Sequence, residues 1–421
     1  MHQSFRRSFC WLVFFMASCL QPLVVSGAEE RPSQKVRFAT FNVSLYGERS
    51  GEVANRIADG NDPQARALAE IIQRVRPDVL LLNEVDYTPD GLLQRTFHDR
   101  YLAVSQNVTK SPDGLTKPIE YPHRYSAPSN TGVHSGRDLD HNGVIDSRPG
   151  SNDYGADSWG YGRYEGQYAM VVMSRFPIDK ENIRTFQKFL WQDMPSAKVP
   201  NEVESPASWY TPKTLDHFRL SSKNHLDVPL LINGKRVHLL ASHPTPPGFD
   251  GPEDRNGLRN EAEIQFWVDY INPERNYHYD DRGKTGGLPG DALFVVAGDL
   301  NADPIDGSDS PAINRLLRSS RVSQAEAPAS RGGEEQAKKQ AGANQSHKGP
   351  DKHDTLDAPD REDKGDPGNL RVDYVVPSKG FRVIESGIFW PSSDDPLSEL
   401  TGEHPFPSSD HRLVWVDVEF E

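Results

Sequence analysis

LFVVAGDLNADP, residues 293–304, joins an apolar run directly to a polar end. Leu293 to Val296 have the apolar, β-branched character of a buried strand. Asp299 and Asn301 follow, and side chains two positions apart point to the same face of an extended chain. A core strand that ends in an acid and an amide on one face predicts a functional site at the end of that strand.

The same pattern recurs along the chain. Each polar residue has an ordinary explanation by itself, as a turn residue, a solvated acid or a loop residue. Loops at one edge of a sheet would, however, bring these residues into a single cleft. The other apolar runs end at or near Asn42, Glu84, His243, Asp373 and the pair Asp410–His411.

Helical and hairpin patterns accompany the strands. Residues 62–77 predict an amphipathic helix, with Asp62 as its cap and Pro63 at its first position. Asn233-Gly234 between two apolar runs predicts a tight hairpin. We predict a second helix over 253–271, and strands at 36–41, 78–86, 167–178, 292–298, 371–376 and 412–420. Strands that alternate with helices but also form hairpins favour mixed sheets packed face to face, with helices outside.

The sequence resembles the endonuclease/exonuclease/phosphatase superfamily, whose fold is like that of deoxyribonuclease I. The resemblance rests on FATFNV (38–43), PDVLLLNEV (77–85), LLASHP (239–244), VVAGDLNADP (295–304), RVDYVV (371–376) and SSDHRLVWVDV (408–418). It implies an α/β fold of four layers (α/β/β/α) with two mixed β-sheets, formed as one domain over residues 35–421.

The resemblance also implies a divalent metal. Glu84, with Asn42 nearby and Asp410, resembles the family's metal ligands. Oxygen ligands of this kind suit a hard cation, so magnesium is expected, with manganese or calcium as alternatives.

The remaining family residues have implied catalytic roles. Asp299 would orient or deprotonate the attacking water, and Asn301 would donate to the phosphoryl oxygens. Asp373 resembles a further member of the acidic cluster, and Asp410 would also hold the imidazole of His411. His243 would assist the leaving group or bind phosphate.

Residues 105–165 depart from the minimal family pattern and predict an ordered insertion. Within it, DLDHNGVID (138–146) has the spacing of a calcium loop, with Gly143 at the turn and Pro149 in place of the usual twelfth-position glutamate. The segment is either a structural calcium site or a hydrated acidic turn. The predicted calcium ligands are Asp138, Asp140, Asn142, the carbonyl of Val144, and Asp146.

Basic residues near the predicted cleft are candidates for phosphate binding, since positive charge and a helix start both favour anions. The alternatives are a packed aromatic loop around the first of them, and a solvated helix end with salt bridges for the last two. The candidates are Arg163, Lys223, His225, Arg255 and Arg259.

Two segments stand apart in composition. Residues 1–28 have the basic end, short apolar stretch and small-residue cleavage site of a signal peptide, which predicts a secreted or periplasmic protein. A lipid anchor at Cys19 is the alternative, and both cysteines, Cys10 and Cys19, lie in this leader. Residues 319–369 are poor in large apolar side chains and predict a mobile low-complexity surface loop.

Charge narrows the substrate class. The chain has 47 Lys plus Arg and 61 Asp plus Glu, a net charge of −14, which disfavours a non-specific grip on nucleic acid. We therefore predict a secreted metal-dependent phosphoesterase whose partner is a small phosphorylated substrate or a lipid head group, with no obligate protein partner evident. The alternatives are a secreted nuclease and a catalytically dead, calcium-stabilised binding protein.

Overall fold

Two mixed β-sheets form the centre of the molecule in the computed structural model. Their strands, in chain order, are β1 (Val36–Leu45), β2 (Val79–Val85), β3 (His123–Ser126), β4 (Ala169–Ser174), β5 (Arg184–Thr185), β6 (His225–Ile232), β7 (Lys235–Ser242), β8 (Leu293–Asp299), β9 (Asp373–Pro377), β10 (Phe381–Ile388) and β11 (Val414–Phe420). The first sheet has the order β10-β11-β1-β2-β4-β3, and the second has the order β5-β6-β7-β8-β9. Neighbouring strands are antiparallel except for β1–β2 and β7–β8, which are parallel.

The structure describes residues 1, 35–112, 114–195, 197–202, 207–307, 311–361 and 364–421. The predicted signal peptide and the lipid-anchor alternative at Cys19 lie outside the described residues, apart from Met1. Residues Lys35–Glu421 form one compact unit. Among the described residues, we find no helix with the length and apolar character that a membrane crossing requires.

Eight α-helices occur among the described residues. They are α1 (Glu52–Arg56), α2 (Pro63–Val75), α3 (Leu92–Phe97), α4 (Asn152–Ala156), α5 (Pro212–Leu215), α6 (Arg255–Tyr270), α7 (Pro311–Leu317) and α8 (Arg331–Gln340). The predicted cap of α2 is confirmed, since the Asp62 carboxylate accepts the N–H of Ala65 at 2.8 Å. The second predicted helix is confirmed as α6.

Three apolar clusters define the layers. One contains residues from the facing sides of both sheets, including Phe38 of β1 and Val295 of β8. A second joins the other face of the first sheet to α2, and a third joins the other face of the second sheet to α6 and α7. The arrangement is therefore the expected four-layer α/β/β/α sandwich.

Backbone geometry confirms the predicted hairpin and shows a close approach between two strands. Asn233 and Gly234 have φ values of 51° and 79° and connect β6 to β7, as a tight hairpin with two left-handed residues requires. Gly298 in β8 has φ 150°, and a Cβ atom there would lie 1.9 Å from the carbonyl oxygen of Ser242 in β7. Glycine thus lets β8 approach the end of β7 closely, immediately before Asp299.

The predicted loop over 319–369 has regular secondary structure in its described part, and its mobility stays a prediction. It contains α8 and two 3₁₀ turns, Gly342–Ser346 and Asp351–His353. Its small residues allow close packing: a Cβ on Gly332 would lie 2.4 Å from the carbonyl oxygen of Trp390. Composition hid this structure because the contacts use glycine, caps and buried polar groups in place of large apolar side chains.

Strand β10 was not predicted either. Its burial pattern is irregular, with exposed residues through its middle, because it lies at the edge of the first sheet. An edge strand of this kind lacks the continuous apolar run that identified the central strands.

Candidate active site

The polar residues at the strand ends lie together at one edge of the two sheets. Asn42 lies near the end of β1 and Glu84 near the end of β2. His243 directly follows β7, and Asp299 is the last residue of β8. Asp373 begins the antiparallel strand β9, directly opposite Asp299 in the register.

Backbone irregularities aim two of these side chains. The β1–β2 and β2–β4 ladders each shift register near Glu84, which has φ 58°. Asn301, just beyond β8, has φ 50°. Left-handed non-glycine residues and bulges cost free energy, and they concentrate where a side chain must be redirected at a functional site.

The Asp299 carboxylate is the centre of the cluster. Its Oδ2 accepts a hydrogen bond from Nδ2 of Asn42 at 3.0 Å, and it lies 3.3 Å from Nε2 of His243 and 3.7 Å from Nε2 of His411. Its Oδ1 accepts the backbone N–H of Asn301 at 3.0 Å. With only 1% of its surface exposed, Asp299 is held in one orientation by residues from distant parts of the sequence.

His411 is paired with Asp373, not with Asp410. Its Nδ1 lies 2.8 Å from Oδ2 of Asp373, whereas the Asp410 carboxylate accepts from the hydroxyl of Ser44 at 3.0 Å. The sequence-based pairing of Asp410 with His411 is therefore wrong. The hydroxyls of Ser44 and Ser409 bind the Asp410 carboxylate, which therefore does not pair with the ring beside it.

The pairing sets the charge of His411. Burial alone would lower the pKa of this imidazole, but the carboxylates of Asp373 and Asp299 raise its pKa well above the ordinary value. By contrast, burial lowers the pKa of His243 well below the ordinary value, and Lys223 and His411 act in the same direction. The site thus combines a cationic imidazole with a neutral one, which suits it to hold and to transfer protons.

The acidic groups fit a bound hard cation. Oxygen or nitrogen atoms of Glu84, His243 and Asp299 lie within 4.8 Å of one another. Partial burial, followed by repulsion from Asp410, raises the pKa of Glu84 to about 7. Oδ1 of Asp373 is buried without a hydrogen-bond partner among the described residues. A divalent cation beside Glu84 would relieve that repulsion, and Asp373 belongs to the adjacent group with Asp299 and His411.

Asn301 is held beside the cluster by a hydrogen bond to the residue that follows His243. Its side-chain Nδ2 donates to the carbonyl oxygen of Pro244 at 3.1 Å, directly after His243. This hydrogen bond fixes the side-chain amide of Asn301 beside the cleft. The other N–H of the amide is the one that would donate to a phosphoryl oxygen in the predicted role.

Three of the predicted phosphate-binding residues are buried and bound to protein groups. Arg259 donates to the carbonyl oxygens of Leu220 at 2.8 Å and Arg219 at 2.9 Å. Nε2 of His225 lies 2.9 Å from the carbonyl oxygen of Glu263. Lys223 is 6% exposed, and its Nζ lies 3.4 Å from the carbonyl oxygen of Pro244. Arg259 and His225 are bound to protein carbonyl groups, which argues against a phosphate-binding role for them. Burial lowers the pKa of Lys223 against the opposing charges of Glu263, Glu84 and Asp299, so Lys223 lies beside the catalytic cluster and its phosphate binding stays a prediction.

The other two basic residues have acidic partners. Arg163 pairs with Glu48 and donates to Asn152 at 3.1 Å. Arg255 pairs with Glu253. The salt-bridged helix end, the alternative reading for Arg255, agrees with the structure.

The structure also changes the ligand set predicted for the acidic loop. Asp138 and Asp140 turn toward Asp157, outside the predicted set. Asp146 instead accepts from Nε of Arg148 at 2.8 Å. The local arginine satisfies Asp146, so this acid does not join the other carboxylates.

The two middle positions of the predicted calcium loop bind each other. The amide oxygen of Asn142 accepts the N–H of Val144 at 2.7 Å. Both residues are exposed, and Nδ2 of Asn142 donates to Oδ2 of Asp140 at 3.1 Å, so the nitrogen of this amide and not its oxygen faces the acid.

Several site residues were not predicted. Thr355 accepts the N–H groups of Val372 and Asp373 at 3.0 Å each and so positions the start of β9. The rings of Tyr46 and Tyr168 meet edge to face at 4.6 Å. Burial, followed by the charges of Glu84 and Asp410, raises the pKa of Tyr46 to about 12, which places this phenol beside the acidic cluster. The only sequence signal was the aromatic run before Tyr168.

Comparisons with known proteins define the class. The model of the Endonuclease/Exonuclease/phosphatase family matches residues 39–411, so the chain belongs to this family. Its members are hydrolases that act on phosphate esters with divalent metals. No curated protein sequence matches the chain significantly.

Solved structures that resemble the chain include three bacterial proteins. An endonuclease/exonuclease/phosphatase from Beutenbergia cavernae has a TM-score of 0.44 and 18% identity, over 92% of this chain and 72% of that chain. A family protein from Leptotrichia buccalis has a TM-score of 0.44 and 14% identity, over 91% and 100%. Sphingomyelinase C from Streptomyces griseocarneus has a TM-score of 0.42 and 15% identity, over 91% and 99%.

Proposed function

We propose that this protein is a secreted or periplasmic metal-dependent phosphoesterase that acts on a small phosphorylated molecule or a lipid head group. The observation that supports this proposal is the convergence on Asp299 of Asn42, His243 and His411, with Glu84 beside them. Side chains from four separate strand ends meet there around one buried carboxylate.

The arrangement supports in-line displacement by water. Asp299 takes a proton from the water as its oxygen bonds to phosphorus. The P–O bond to the leaving group breaks on the opposite side, and the leaving oxygen takes a proton from solvent water. Asp299 then releases its own proton to solvent. The cationic His411, held by Asp373, stabilises negative charge on the phosphoryl oxygens.

A divalent metal would be held by Glu84, with Asn42 and Asp410 as further ligands. When bound, such an ion supplies positive charge that offsets the negative charge of the ester and of the leaving oxygen. Magnesium is the proposed ion because the ligands are carboxylate and amide oxygens.

The basic residues around the cleft favour a small substrate over a polymer. A nuclease needs cations that are free to contact successive phosphates. Here Arg163 and Arg255 are paired with acids, and Arg259 is buried against carbonyl groups. The net charge of −14 acts in the same direction.

Hydrolysis of chromogenic esters tests the proposal. Bis(p-nitrophenyl) phosphate and p-nitrophenyl phosphate would be assayed with magnesium, manganese, calcium or chelator, beside single- and double-stranded DNA. We expect metal-dependent release from at least one ester, little cleavage of DNA, and loss of turnover in Asp299→Asn. The exposed Asp216→Asn is the matched control and should keep the full rate. No hydrolysis of either ester with any metal would contradict the proposal, and efficient DNA cleavage would identify a nuclease.

A further inference from the structure

A second acidic cluster lies in the insertion, away from the residues assigned to hydrolysis. One carboxylate oxygen from each of Asp138, Asp140 and Asp157 lies within 4.8 Å of the others. Asp138 and Asp140 belong to the acidic loop, whereas Asp157 directly follows α4. Chain segments almost twenty residues apart thus bring three negative charges together.

Asp157 is the residue that points to a ligand. It is 1% exposed, and its Oδ1 accepts the N–H of Leu139 at 2.8 Å. Its Oδ2, like Oδ1 of Asp138, is buried and has no hydrogen-bond partner among the described residues. A buried carboxylate oxygen without a partner is costly.

The neighbouring charges increase this cost. Burial, with smaller contributions from the charges of Asp140 and Asp138, raises the pKa of Asp157 to about 6 against the opposing hydrogen bond from Leu139. The three carboxylates therefore face one another, and a cation between them would remove both the repulsion and the unsatisfied oxygens.

We propose that Asp138, Asp140 and Asp157 bind a structural calcium ion. All three supply oxygen, and calcium accepts many oxygen ligands in flexible geometry, whereas magnesium demands a near-ideal octahedron and keeps its waters. Asp138 and Asp140 occupy the first and third positions of the calcium-loop spacing. Asp157 replaces the missing twelfth-position glutamate as the acid supplied from outside the loop.

A calcium ion would stabilise one end of a pair of chain segments that lead toward the cleft. Ser135 donates its N–H to the carbonyl of Asp157 at 2.9 Å, and Trp159 donates to Val133 at 2.9 Å. Farther along this pairing, Asn130 donates its N–H to the carbonyl of Lys223 at 2.8 Å. Calcium would thus stabilise one end of this series of backbone hydrogen bonds. The other end contacts Lys223, in the loop behind His243.

Terbium luminescence tests the site directly, because Tb³⁺ substitutes for calcium and is excited through nearby tryptophan. Trp209 donates to the carbonyl of Leu139 at 3.3 Å, and its ring stacks on His141 at 4.1 Å. The measurement would use the full chain with Glu84→Gln, so that binding at the catalytic cluster is weakened. Failure of hydrolysis and failure of calcium binding are then separate results.

We expect sensitised emission that calcium displaces and excess magnesium does not. Asp157→Asn, which keeps the oxygen that accepts from Leu139, should weaken calcium binding by about tenfold or more. It should also abolish the calcium-dependent rise in thermal midpoint. Asp153→Asn, which changes an exposed acid in the preceding helix α4, should bind like the parent.

Asp146 belongs to the calcium-loop spacing but not to the cluster of Asp138, Asp140 and Asp157. We therefore expect Asp146→Asn to bind calcium normally. If Asp157→Asn does not fold by far-UV circular dichroism, Asp140→Asn is the second variant, with the same loss expected. No emission displaced by calcium, unchanged binding in the folded Asp157→Asn or Asp140→Asn protein, or equal loss in Asp146→Asn would overturn the proposal.

Discussion

Asp373→Asn tests how the catalytic imidazole is held. Nδ1 of His411 lies 2.8 Å from Oδ2 of Asp373, and the two residues are 7% and 1% exposed. The substitution keeps the shape of the side chain but removes its charge. A charge-assisted hydrogen bond contributes about 1.5–3 kcal/mol, and each 1.36 kcal/mol changes a rate about tenfold. We therefore expect kcat to fall about 10- to 150-fold.

The split between kinetic constants separates positioning from folding. Because Asp373 acts through His411, KM for a chromogenic ester should change little, and the thermal midpoint should show that the protein remains folded. Asp410→Asn removes a proposed metal ligand and leaves the Asp373–His411 pair intact. A higher metal concentration should therefore restore part of the activity that Asp410→Asn loses. Full kcat in Asp373→Asn, or a loss that added metal restores, would refute the assigned pairing.

Three further predictions concern structure and stability. Gly298→Ala should destabilise the protein by about 3 kcal/mol or more in urea, because the new Cβ would lie 1.9 Å from a backbone oxygen of Ser242. Arg259→Lys should lower the thermal midpoint without raising KM, because the guanidinium holds carbonyl groups and does not contact substrate. Burial, followed by the charges of nearby acids, raises the pKa of Asp354 to about 9. The folded state therefore keeps a proton that the unfolded chain releases, so stability in chelator should fall as pH rises from about 4 to about 9, and Asp354→Asn should reduce that fall.

Each of these has a control and a contrary result. Gly248→Ala adds a Cβ in open space and should be neutral, so equal effects at both glycines would contradict the close-approach argument. A tenfold rise in KM for Arg259→Lys with unchanged stability would support a role for Arg259 in phosphate binding. Asp216→Asn should leave the pH dependence unchanged, and identical pH slopes in wild type and Asp354→Asn would remove Asp354 as its source.

Strand ends were the most predictable part of the molecule. The buried strands and their polar ends follow from hydrophobic runs and spacing, and motif resemblance supplied the order that places Glu84, Asp299 and His411 in one cleft. These inferences depend on local sequence, which is why the central strands and the cluster are as expected.

The partners of the polar residues were not predictable in the same way. The Asp373–His411 pair joins residues 38 apart, and only the antiparallel register of β8 and β9 brings Asp373 into place. Arg259 looks like a surface cation in sequence, yet it is buried against carbonyls that come from another loop. Thr355 lies in a segment whose composition indicates a loop. In each case a long-range contact, absent from any local pattern, decides the role.

Anomalous diffraction from crystals soaked with manganese and phosphate would show whether the cluster around Asp299 binds both. We expect a manganese peak within about 2.6 Å of a Glu84 carboxylate oxygen and a phosphate between that ion and the imidazoles of His243 and His411. Strong manganese and phosphate peaks elsewhere, with neither at this cluster, would contradict the assignment of this edge of the sheets as the hydrolytic site.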